Sequence, residues 1–137
     1  MRADRHARLI ATRKPGANAV YEIIQMPHIV CHYSAHQKMP EVRTVLLALH
    51  RAAVSTGVVK AEDLKIRAQA FDDYLVAGDD RSFFHVSLYM LAGRTPQQKE
   101  MLSIEIRKAL VGLLTDTCGI SVDIRDMDPV AYKKHLR

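Results

Sequence analysis

The sequence predicts an α/β domain of the α+β kind, in which two tandem β-α-β units form a four-stranded sheet with two helices on one face. Three observations lead there. Apolar periodicity switches from 2 to 3.6 and back, twice, between Pro27 and Arg125. Strand, helix and strand starts near residues 28, 40 and 65 recur near 83, 95 and 120, an offset of about 55. Right-handed crossovers between parallel strands then place both helices on the same side of the sheet.

Taken in order, His28–Tyr33 alternates with period 2 and reads as a strand. Pro40 is read as a first helical residue, followed by Val42, Val45, Leu46, Leu49 and Ala53 at helical spacing, down to a stop at Gly57. Lys65–Phe71 is the second strand, and Gly78-Asp79-Asp80 makes a turn. Phe83–Leu91 is the third, with Phe84, Val86, Leu88 and Met90 on one face. Thr95, Pro96 and Gln98 have the spacing of a capping box. The helix they open buries Leu102, Ile106, Ala109, Leu110 and Leu113, and Gly119 ends it. Ile120, Val122 and Ile124 alternate with Ser121, Asp123 and Arg125 in a fourth strand. The helix-free face carries His28, Val30, His32, Arg67, Gln69, His85, Ser87 and Arg125, a mixture suited to water or to another subunit.

At 137 residues and 48% apolar content, the chain has material for one packed core. Its formal charge of +5 is unevenly placed: residues 1–26 hold five Lys/Arg against two Asp/Glu, the remainder fifteen against thirteen. The regular part is therefore close to neutral and gives no electrostatic case for nucleic acid. No apolar run is long enough to span a membrane. With only Cys31 and Cys118, a disulfide framework is not expected and a reducing, cytoplasmic setting is.

Residues 1–26 lack sustained periodicity and contain the linker-like Arg13-Lys14-Pro15-Gly16-Ala17-Asn18; only Ala19–Ile24 has strand character. The segment is Arg-rich like an organelle transit peptide, yet holds no serine. It is read as an extension, either not part of the working protein or disordered, ahead of a working domain of residues 27–137. Translation from Met26, with the sequence upstream of it included by mistake, is favoured over a targeting or regulatory arm.

No glycine-rich phosphate loop, Cys-x-x-Cys or serine elbow is present. His28 and His32 share a strand face without a third ligand, and His32 and His36 straddle a strand end, so no metal site is expected. Asp72-Asp73 and Asp79-Asp80 read as solvated turn residues, and Phe71, Tyr74 and Phe83 as hairpin packing. Met26-Pro27 is the informative pair. A chain begun at Met26 and trimmed of it would present the secondary amine of Pro27 at a strand end. An α-amino group titrates near 8, and burial beside cations lowers it toward the neutral range that carbon-acid proton transfer needs.

Met26-Pro27-His28-Ile29-Val30, the Lys65-Ile66-Arg67 strand, and His85-Val86-Ser87-Leu88 running to Gly93-Arg94 resemble the 5-carboxymethyl-2-hydroxymuconate isomerase family of the tautomerase superfamily. The resemblance covers essentially all of 26–137. It implies a tautomerase-like fold, a homotrimer without cofactor, and Pro27 as general base. It also implies that Arg67 and Arg94 act on a dianionic hydroxymuconate, with His28 beside them as a further substrate contact. The family often has an acidic residue where His32 stands. The alternatives are a related enol-acid tautomerase and a non-catalytic, ferredoxin-like binding or regulatory module.

Overall fold

The computed structural model describes residues 26–137. Strand β1 (His28–Ser34) leads through helix α1 (Val42–Ser55) and a short 3-10 turn (Ala61–Asp63) into β2 (Lys65–Phe71). A hairpin excursion then leads to β3 (Phe83–Leu91), helix α2 (Pro96–Leu113) and β4 (Gly119–Met127). The sheet order is β2-β1-β3-β4. Each β-α-β unit pairs its own strands in parallel, and the units join antiparallel through β1 and β3. This is the doubled architecture expected from the repeat, and among the described residues the regular elements run from His28 to Met127.

Alternation along the strands decides which side meets the helices. Ile29 and Cys31 of β1 and Phe84, Val86, Leu88 and Met90 of β3 are fully buried. Ile66, Ala68, Ile120, Val122 and Ile124 from the outer strands pack against them. The helices close the core with Val45, Leu49 and Ala53 of α1 and Leu102, Ile106 and Leu110 of α2. Ala109 and Leu113 are only partly buried, whereas Leu114 just past the helix is 2% exposed.

Local chemistry sets the helix ends. Thr95 Oγ1 accepts from the Gln98 N–H at 3.1 Å and the Gln98 side chain accepts from the Thr95 N–H at 2.9 Å, completing the capping box with Pro96 at the first turn. Gly57, at φ +74°, donates to the Val54 carbonyl at 3.0 Å and closes α1 in the left-handed conformation that favours glycine. Two boundaries differ from expectation. Pro40 lies outside α1, because Glu41 keeps an extended ψ of 137° and the helix begins at Val42. Gly119 opens β4 rather than ending α2; the chain leaves the helix earlier, where Leu114 drops into the core. Phe71 packs edge-on to His32 and Tyr74 edge-on to Phe83, as hairpin packing requires. Among the described residues no helix is long and apolar enough to cross a membrane. The residue 1–25 part of the expected extension lies outside the described residues.

Candidate active site

Register brings the candidate residues to one end of the sheet. On the helix-free face His28 stands between Lys65 and Tyr89, Val30 between Arg67 and Ser87, and His32 between Gln69 and His85. Pro27 immediately precedes β1 and is buried. Having no N–H, it contributes only its carbonyl, which accepts from the Lys65 N–H at 3.1 Å and fixes the strand end.

The side chain of His28 is held from both sides. Arg67 Nη1 lies 3.4 Å from its Nδ1, and the Tyr132 hydroxyl 3.0 Å from its Nε2. A guanidinium can only donate, so the network assigns Nδ1 as acceptor and Nε2–H as donor to Tyr132, a neutral imidazole. Burial, then the charges of Lys65, Arg67 and Lys134, hold the imidazole below its ordinary 6.5. Burial also pushes the Tyr132 hydroxyl up. Since the folded-state value is the lower one, His28 contributes stability that is present above pH 6.5 and lost as the pH falls below it. The melting temperature should therefore decline between pH 7 and 5, less steeply in His28→Gln. An unchanged slope in that variant would remove His28 as a source.

Lys65 and Lys134 complete a cationic cluster at the same end. Burial, followed by the charge and hydrogen bond of Lys65, lowers the Lys134 ammonium to about 8. Both ammoniums contact the Met26 sulfur. Arg94 follows Gly93, at φ +130°, and directly precedes the α2 cap. Its Nη2 donates to the Val58 carbonyl at 3.5 Å, in the loop after α1. The structure thus gathers Pro27, His28 and Arg67, and gives Arg94 a different partner.

A groove of about 500 Å³ runs from Arg67 along β1 and β2, lined by Val30, Cys31, His32, Arg67, Ala68 and Gln69. That volume suits a small organic acid. Burial pushes the Cys31 thiol up to about 12, so it is no nucleophile there. Among the described residues no His, Cys, Asp or Glu group is arranged to hold a metal ion. Sequence reasoning did not single out Lys65, Tyr132 or Lys134. Lys65 was accessible through the parallel register with His28; the other two come from an irregular tail without periodicity.

A doubled β-α-β sheet with a cationic strand end beside a groove of small-molecule size is the arrangement a tautomerase-like isomerase fold would present. The family model for 5-carboxymethyl-2-hydroxymuconate isomerase matches residues 27–136, and the chain belongs to that family. A comparison with curated proteins finds no match. Among solved structures, a 5-carboxymethyl-2-hydroxymuconate isomerase from Deinococcus radiodurans R1 is 18% identical, with 82% of this chain and 92% of that chain covered at a TM-score of 0.66. A 5-carboxymethyl-2-hydroxymuconate delta-isomerase is 19% identical, over 82% and 89%, at 0.67. A fused 4-OT wild-type symmetric trimer is 24% identical, over 74% and 85%, at 0.62. At these identities the structures establish the shared fold. Family membership makes the protein an isomerase and sets aside the non-catalytic module.

Proposed function

We propose that the working enzyme begins at Pro27 and isomerises a 2-hydroxymuconate-type dicarboxylate with that residue's amine as general base. The observation that carries this reading is the position of Pro27, buried at the head of β1 between Met26, whose sulfur touches the Lys65 and Lys134 ammoniums, and His28, whose imidazole pairs with Arg67. Burial and neighbouring cations disfavour an ammonium, so a free amine there is lowered toward neutrality and can accept a proton. The proton leaves one end of the conjugated keto-enol system, the amine holds it, and it returns at the other end. Nothing is oxidised or lost. Arg67 and Arg94 meet the carboxylates and the dienolate charge, and His28 orients Arg67 and contacts substrate.

The mixed helix-free face, with His85 bonded to Ser121 at 2.6 Å and to Ser87 at 3.1 Å, supports self-association. The fused 4-OT neighbour described as a symmetric trimer supports three copies. Two unpaired cysteines, Cys31 buried and Cys118 exposed, agree with a reducing, cytoplasmic setting. The test is an ultraviolet assay of the Pro27 form against a panel of enol dicarboxylates, without added cofactor. Ketonisation of at least one is expected; none turned over would defeat the reading. Light scattering should give about three subunit masses, and a fully active monomer would contradict the assembly.

A further inference from the structure

Met26 is 2% exposed, yet it stands apart from the hydrophobic cluster that binds helices to sheet. What surrounds its sulfur is cationic. Lys65 Nζ lies 4.0 Å away and Lys134 Nζ is in direct contact. A thioether is a weak, uncharged acceptor, a poor match for two ammoniums. Like charges brought together this way repel, and the Lys134 ammonium registers that cost after its burial, with the charge of Asp63 only partly opposing it. Both lysines are held from behind: the Lys65 backbone by the Pro27 carbonyl, and the tail before Lys134 by the Tyr132–His28 hydrogen bond.

We propose that the Met26 side chain fills an anion subsite, in which Lys65 and Lys134 grip one carboxylate of the substrate beside Pro27 once residues 1–26 are gone. The inference rests on the Pro27 reading and deepens it. The lysines take one end of the dicarboxylate, leaving Arg67 and its groove to the other. A carboxylate offers each ammonium a charged acceptor where methionine offers none.

Two measurements test it. In calorimetry on the Pro27 form with muconate, Lys65→Met and Lys134→Met should each weaken binding by about tenfold or more, the scale of a lost charged hydrogen bond. Lys134→Arg should stay within a few-fold, and sorbate, with one carboxylate, should be less affected. In the intact chain begun at Met1, Met26→Glu should melt higher than Met26→Gln, and Lys134→Met should erase the difference. That comparison needs neither processing nor catalysis, so it stands or falls separately from the proline base. Muconate binding that is absent, or unchanged in both methionine variants, overturns the subsite. So does a Glu variant no more stable than the Gln variant.

Discussion

The chain begun at Met26 is expected to isomerise substrate about 10²–10⁴ times faster than the intact chain begun at Met1, the range that general base catalysis contributes. The reason is electronic first. Joined to Met26, the Pro27 nitrogen belongs to a tertiary amide and its lone pair is delocalised into the carbonyl. Trimmed of Met26, it becomes a secondary amine, lowered toward neutrality in the proposed function by burial and nearby cations. The second reason is steric, since the buried Met26 side chain sits against Lys65 and Lys134, the lysines proposed to hold a substrate carboxylate. The β-α-β domain itself should fold in both forms, because the sheet, the two helices and the core they enclose are all built from residues after Pro27. Both forms should therefore give the same cooperative melt and helical circular dichroism. Mass spectrometry must confirm an intact long form and an amino-terminal Pro27 in the short one. Equal turnover by the two would refute the proline base.

The fold was legible because its determinants are local. Period-2 runs at His28 and Phe83, the Thr95–Gln98 capping box and the left-handed stop at Gly57 each act within a few residues. The boundaries that moved, at Pro40 and Gly119, depend on something non-local: where the backbone turns extended at Glu41, and where Leu114 finds space in the core. The site divides the same way. His28 and Arg67 meet because parallel pairing puts Val30 opposite Arg67 and His28 one rung away, a juxtaposition implicit in the β-α-β reading. Tyr132 and Lys134 reach the strand end through a tail with no repeating pattern, so only the folded chain reveals them. Arg94 is fixed by its neighbours Gly93 and Thr95, while its Val58 partner belongs to a loop that periodicity does not describe.

That difference in surroundings predicts different costs for the two arginines. Arg67 is exposed on the strand surface, hydrogen-bonded to a neutral imidazole that leaves its positive charge uncompensated by that contact. Removing it should leave the melting temperature nearly unchanged, as at most surface positions. It should instead raise KM and lower kcat/KM, because the proposed bidentate carboxylate clamp is lost; Arg67→Lys should recover only part, having a point charge in place of a fork. Arg67→Ala should also move the His28 titration upward toward its ordinary value, since the Arg67 charge is one of those holding it down, after burial and Lys65. Proton NMR of the imidazole reads that shift directly. Arg94 is partly buried and bonded to the Val58 carbonyl, so Arg94→Ala should lower the melting temperature as well as activity. If its guanidinium meets the dienolate, kcat should fall by about 10²–10³, roughly 3–4 kcal/mol of transition-state stabilisation. Full kcat/KM in both alanine variants would sink the arginine assignment while leaving the proline base intact.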